Sequence, residues 1–533
     1  MWPDLRNLGG LQKIHFLRRT KLAQRGLATN RCAFNFSLPK IDPLSRQVQM
    51  VIKAEQFQLD PNSEGTLQQQ VQQLVCDGVL SGRFLSGERM PSSRKLADWL
   101  GVSRITVTLA YAELVANDYL TSRGRSGYFI STSAPPPHVG QIRLPVPNTV
   151  DWQKTLAKRY VNQSSLVRPP DWKDYPYPFI YGQPDAGLFD HDNWRRCAIE
   201  ALGRKNFDSM TKDAYEQDDP KLVEYIVRNI LPRRGIWARS DEVLITMGAQ
   251  NALWLCSQIL LGENRFAAIE NPCYPGIRDI LREAACKVAQ VDVDDNGLPP
   301  ERLPAEVDVV FTTASHQCPT NTTMSIDRRR DFLKKSIRNG FVVVEDDYEF
   351  EMAFQRAPTP ALKSLDRAGT VVYIGSFSKS LFPGLRLGYI VGAPALIEEA
   401  RALRSLVFRH PPGQLQRTTA YFLSMGYHDT MINRIGQAYR RRRSVMEKAI
   451  RDNNLKISSR LDQGGSSFWM RAPPGINTSA LARELRNSGV VIEQGRAFFG
   501  PEQENHDYYR LAYSSIPSAK IPEGIRRIAA AMR

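Results

Sequence analysis

Lys379 stands in the run Ser376-Phe377-Ser378-Lys379-Ser380-Leu381-Phe382-Pro383-Gly384-Leu385-Arg386, flanked by small hydroxyls and followed by an arginine. An amine in that company suits Schiff-base formation beside a bound phosphate, which hydroxyls and a guanidinium can hold. Other polar groups recur in the same way, just after short apolar runs. Gly248-Ala249-Gln250 follows Val243–Thr246 and starts a helical pattern, so its amides can hold a phosphate at the positive end of the helix dipole. Glu270-Asn271-Pro272-Cys273-Tyr274, Ser315-His316-Gln317-Cys318-Pro319-Thr320 and Asp346-Asp347-Tyr348 close three further runs.

Those runs, Val243–Thr246, Ala267–Glu270, Val307–Thr312, Val342–Glu345 and Val371–Gly375, read as buried strands alternating with helices. The rhythm implies a large α/β domain with a mostly parallel sheet and its functional residues at the strand C-terminal ends. We place it at residues 179–533, behind a Pro-rich linker over 134–178. No internal repeat is present.

A smaller α+β module is expected at residues 56–133. Leu67, Val71, Leu74, Val75 and Val79 recur at helical spacing. Pro91-Ser92-Ser93 opens a second helix with a Ser cap, and Ser103, after the turn Gly101-Val102-Ser103, caps a third. Two helices across a short Gly turn are helix-turn-helix geometry. Tyr119–Ile130 then reads as a hairpin wing around a basic Gly turn. At its tip Arg123 and Arg125 have no packing role in the sequence pattern and suit phosphate or minor-groove contact.

The 533 residues exceed one core, and 42% hydrophobic with 24% charged is ordinary for a soluble protein. No run of 18 apolar residues exists, which excludes a membrane-spanning helix read from sequence. Seven dispersed cysteines without C-x-x-C spacing point to free thiols in a reducing cytoplasm, with neither disulfides nor a metal site. Half of the net charge of +16 falls in the first 53 residues, where Asp4 and Asp42 are the only acids. This basic extension, residues 1–55, is expected to be disordered and dispensable. It is either an arm adding non-specific DNA affinity or a stretch upstream of a start near Met50.

Leu80-Ser81-Gly82-Arg83, Gly87-Glu88-Arg89-Met90-Pro91-Ser92-Ser93-Arg94, Leu100-Gly101-Val102-Ser103-Arg104 and Gly124-Arg125-Ser126-Gly127 resemble the winged helix of GntR-type regulators. That resemblance implies DNA contacts from Ser93, Arg94, Ser103, Arg104 and Thr106. Arg104 is either a bidentate guanine contact or a phosphate clamp. The second constellation resembles fold-type I pyridoxal-phosphate aminotransferases, and the two together resemble the MocR/GabR subfamily over about residues 64–533. The resemblance implies pyridoxal 5'-phosphate on Lys379, with Asp346 on the pyridinium nitrogen, Tyr348 on the phenolic oxygen and Tyr274 on the ring face. Ser376, Ser378, Arg386 and the Gly248–Gln250 amides would take the phosphate, and Tyr215 would reach a partner subunit's phosphate. Arg510 would clamp the carboxylate of an amino-acid ligand. Asp347 competes for the role of Asp346, Tyr274 for a core position, and Arg510 for a structural ion pair.

Cys318 stands where aminotransferases have Asn, and Thr320-Asn321 where Thr/Ser-Gly is usual. These departures put turnover in doubt more than cofactor binding. The expected protein is therefore a homodimeric, DNA-binding regulator sensing an amino compound or the cofactor. A working aminotransferase with an accessory DNA-binding domain, and a cofactor-free DNA-binding dimer, are the alternatives.

Overall fold

The computed structural model describes residues 51–533 apart from 62, 64, 137–149, 159, 162–168, 184, 356–358, 459–464, 501 and 504. Residues 1–50 of the basic extension and 137–149 of the Pro-rich linker thus lie outside the described residues. The chain divides into two compact units, Met1–Leu156 and Ala157–Arg533.

In the first unit the helix starts follow the caps. Helix α1 (Leu67–Leu80) opens on a Thr66/Gln69 capping box, α2 (Ser93–Leu100) on Ser92 and α3 (Arg104–Ala116) on Ser103. Gly101 ends α2 at φ 66°, a left-handed position where a side chain is strained, which is what the tight turn requires. Val71, Val75, Leu96, Val107, Ala110 and Tyr111 meet in one buried cluster. The wing is the antiparallel pair β1 (Leu120–Ser122) and β2 (Tyr128–Ile130). One expectation is corrected there. Arg123 does have a packing role, because its guanidinium lies over the buried Phe129 ring, 4.6 Å from the centroid.

The second unit is built on a seven-stranded sheet. Its strands are β3 (Val243–Thr246), β4 (Phe266–Asn271), β5 (Lys287–Asp292), β6 (Val309–Thr312), β7 (Val342–Asp347), β8 (Val371–Ser376) and β9 (Gly388–Val391). They lie in the order β3-β9-β8-β7-β6-β4-β5, parallel except for β9, which runs antiparallel to both neighbours. Continuous burial along β3, β6 and β8 reflects a sheet covered on both faces. A second, antiparallel sheet orders β10 (Lys456–Ile457), β11 (Ser467–Arg471), β13 (Tyr508–Ala512) and β12 (Glu493–Gln494). Among the described residues no helix is long and apolar enough to cross a membrane.

Candidate functional site

The C-terminal ends of β3, β7 and β8 supply most of the site. Successive strand residues point to opposite faces, so Asp346 and Asp347 at the end of β7 have separate environments. Asp347 accepts from Arg234 Nε at 2.7 Å and from the Tyr373 hydroxyl at 2.9 Å. Burial works against its charge, but Arg234 and Tyr373 outweigh it and hold the carboxyl below the usual range. Asp346 is buried, and its Oδ1 has no partner. Burial, then Asp347 and Glu270, push its carboxyl up to about 7, while Lys379 pulls the other way. Asp347 is thus engaged through Oδ2 by Arg234 and Tyr373, its Oδ1 being unpartnered like that of Asp346, and this favours Asp346 of the two candidates for meeting a cofactor.

Around the end of β3 the groups suited to a phosphate converge. Gly248, at φ 81°, precedes helix α4 (Ala249–Leu260), whose first residues include Gln250. Arg386 donates from Nη2 to the Met247 carbonyl at 3.0 Å, and a Cβ at position 248 would lie 3.2 Å from that nitrogen. Ser376 Oγ accepts from the Ser378 amide at 3.2 Å. The register Thr246↔Gly388↔Ser376 sets Ser376 two strands from the start of that turn. The Tyr274 hydroxyl donates to Gln250 Oε1 at 3.1 Å, and that of Tyr348 to the His316 carbonyl at 2.9 Å. A helix start, a guanidinium and two hydroxyls near the end of β3, and an orphaned carboxyl at the end of β7, are groups whose chemistry fits a phosphorylated pyridinium cofactor. Tyr215 is not in this group; it is exposed, with Arg409 over its ring at 5.9 Å.

Lys379 Nζ lies 4.2 Å from the centroid of Tyr181, a residue the sequence reading missed. Gly182 makes room for that amine, since a methyl there would overlap Lys379 Nζ. The Tyr181 hydroxyl donates to Glu349 at 2.8 Å. The same ring carries Arg510, whose Cζ is 4.0 Å from its centroid and 4.6 Å from that of Phe498. Arg510 Nε donates to Glu493 Oε2 at 2.7 Å, and Nη1 to Cys318 Sγ at 3.9 Å. Glu493 was also missed. No local motif flags it, because its partner is chosen by the register Glu493↔Arg510 across β12 and β13.

The loop after β6 explains one departure from the aminotransferase pattern. Asn321 sits at φ 59°, where glycine is the easy choice and Asn among the better alternatives, and its Nδ2 donates to the Ser467 carbonyl at 2.6 Å. His316 is buried with neither ring nitrogen partnered, and burial lowers its pKa, so it stays neutral. Cys318 is buried, which pushes its thiol up to about 11.

In the first unit Arg94, Ser103, Arg104, Arg123 and Arg125 are exposed, while Ser93 and Thr106 are half-buried. Ser103 Oγ accepts from the Thr106 amide at 3.1 Å and lies 2.8 Å from its hydroxyl, which fixes the first turn of α3. Arg104 Nε reaches Ser93 Oγ at 3.5 Å.

Two family models match this chain: that of the bacterial regulatory proteins of the gntR family over residues 67–130, and aminotransferase class I and II over 221–528. The HTH-type transcriptional regulator TauR of Rhodobacter capsulatus is 56% identical over 91% of this chain and 100% of its own length. The chain belongs to the MocR-like, GntR-type regulators. The probable rhizopine catabolism regulatory protein MocR of Rhizobium meliloti is 28% identical, over 89% of this chain and 95% of that protein. Among solved structures, the kynurenine aminotransferase of Pyrococcus horikoshii, in complex with PMP, superimposes with a TM-score of 0.64. It is 25% identical and covers 72% of this chain and 98% of its own. An α-aminoadipate aminotransferase of Thermus thermophilus, complexed with N-(5'-phosphopyridoxyl)-L-leucine, gives the same TM-score, identity and coverage. This MocR-like regulator thus joins a helix-turn-helix unit to an aminotransferase-like α/β unit.

Proposed function

We propose that this DNA-binding regulator carries pyridoxal phosphate at Lys379, detects a primary amine there and transmits the event to its winged helix. The observation that carries the reading is Asp346, a buried carboxyl with an unpartnered oxygen whose charge Lys379 favours. A protonated pyridine nitrogen is the donor such a group lacks. The cofactor supplies an electrophilic carbon that a lysine or an incoming amine can capture. This chain's residues do the rest. Tyr348 would hold the phenolic oxygen and Tyr274 would cover the ring. Ser376, Ser378, Arg386 and the amides of Gly248, Ala249 and Gln250 would take the phosphate. In a homodimer, exposed Tyr215 would reach the phosphate site of a second copy. Arg510 and Tyr181 would border the space the amine enters.

On DNA, the start of α3 would enter the major groove with Arg104 at the base edges. Ser93, Arg94, Ser103, Thr106, Arg123 and Arg125 would contact the backbone and minor groove. A second reading, a working aminotransferase, draws on the 98% coverage of a solved aminotransferase. Turnover of amino donors near the enzyme median of about 10 s⁻¹ would favour it. The test of the leading reading is optical. Protein supplied with pyridoxal phosphate should absorb at roughly 400–430 nm, and Lys379→Ala should lose that band. A colourless wild type would refute cofactor carriage.

A further inference from the structure

Arg510 is the residue to which an amino-acid carboxylate would be expected to bind, yet its surroundings already match its charge. Glu493 faces it across the two strands at 2.7 Å, and the two side chains are only 6% and 3% exposed. Tyr181 and Phe498 cover the faces of the guanidinium, and Cys318 sulfur accepts at its Nη1 edge. The Cys318 thiol is neutral, so the pair Arg510–Glu493 carries no net charge.

This has a consequence for any amine captured at Lys379. A carboxylate on the amine-bearing carbon is tied to the nitrogen by two bonds. Once the nitrogen takes the place of Lys379 Nζ, that carboxylate is held close to the Tyr181 ring, which Lys379 and Arg510 share. With Glu493 in place, the incoming carboxylate finds a neutral pair in a site of low dielectric and gives it a net negative charge. Displacing Glu493 instead strands a buried anion. A carboxylate further along the chain, or none, avoids both costs.

Resting on the functional reading above, we propose that Glu493 is a specificity-determining residue. By neutralising Arg510 it selects primary amines that have no carboxylate on the amine-bearing carbon and disfavours α-amino acids.

The test uses full-length protein loaded with pyridoxal phosphate, titrated with L-alanine and with its isomer β-alanine, which has the same formula and charge. The cofactor absorbance band and the unfolding midpoint are both read. Half-saturation by β-alanine is expected at a concentration at least tenfold below that for L-alanine. Glu493→Gln keeps the length and an oxygen for Arg510 Nε but removes the charge. It should shift the ratio at least tenfold toward L-alanine. Equal responses, a wild-type preference for L-alanine, or no response to either isomer would overturn the proposal. So would a Gln variant that weakens both isomers in parallel, as a purely structural pair predicts. The wild-type comparison stands even if the variant fails to fold. Failure of the cofactor reading is separately visible as the absence of any Lys379-dependent band.

Discussion

Asp346 and Asp347 are adjacent in sequence, but the strand turns them to opposite faces, and only Asp347 meets an arginine. Burial and its acidic neighbours push the Asp346 carboxyl up to about 7, so its ionised form destabilises the fold on its own. Because the folded-state pKa lies above the ordinary carboxylate value, the neutral acid is the form the fold tolerates. Its contribution to stability is complete below about pH 4 and is lost as pH rises through about 7, an amount on the order of 4 kcal/mol. Cofactor-free wild type should therefore show an unfolding midpoint that falls between about pH 4 and pH 7 and levels off above it, a fall that Asp346→Asn lacks. At pH 8 the Asn variant should melt higher than wild type yet bind pyridoxal phosphate at least about tenfold more weakly, a loss of about 1.4 kcal/mol. Parallel pH profiles for the two proteins would show that Asp346 does not carry this charge. Asp347 behaves in the opposite sense. Arg234→Met would strand a buried carboxylate and should cost about 3–5 kcal/mol in denaturant unfolding.

Helix α3 shows how much an element owes to one side chain. Ser103 Oγ takes the Thr106 amide and sets the first turn, where Arg104 is exposed. Ser103→Ala should remove about 1 kcal/mol of helix stability and speed amide exchange in the first turn, while the middle of the helix exchanges as before. Unchanged exchange at Thr106 would argue against the cap. Such caps were legible beforehand because Ser before an apolar-periodic run has few other readings. The parallel strands were legible for a related reason: both faces are covered, so they appear as continuous apolar runs ending in polar residues. Strand β9 was not read, since Gly388–Val391 directly follows the Lys379 motif and runs antiparallel within a parallel sheet. The second sheet was not read either, because two of its strands are only two residues long and pair across distant segments. That sheet brings Glu493 to Arg510, and a segment far ahead of both brings Tyr181. The residues proposed to hold the cofactor carry local motifs and are legible in sequence. The groups proposed to border the amine's path are assembled by register and are not. The packing of Arg123 on Phe129 was illegible for a similar reason, as the two residues lie across the hairpin from each other.

A regulator working as proposed must do two separable things: hold DNA, and change its hold when an amine arrives. The DNA term is tested by comparing Arg104→Ala with Arg125→Ala. A base contact at Arg104 should cost about 1–3 kcal/mol on the operator and little on bulk DNA, whereas a phosphate contact at Arg125 should weaken both and reduce the salt slope by about one. The coupling term belongs to the molecule as a whole. An amine can move the equilibrium between two conformations only by the difference in its affinity for them, and typical coupling of about 1–3 kcal/mol corresponds to about 5–150-fold in the second affinity. If capture at Lys379 is the source of that difference, β-alanine should change operator affinity of wild-type protein within this range. Lys379→Ala should bind the same operator within about twofold of the amine-free wild type, since the residue lies outside the DNA-binding unit. It should then show no change on adding the amine. An effector response that survives in Lys379→Ala would place sensing elsewhere in the chain, and loss of operator binding in that variant without amine would mean the lysine supports the fold and not the signal.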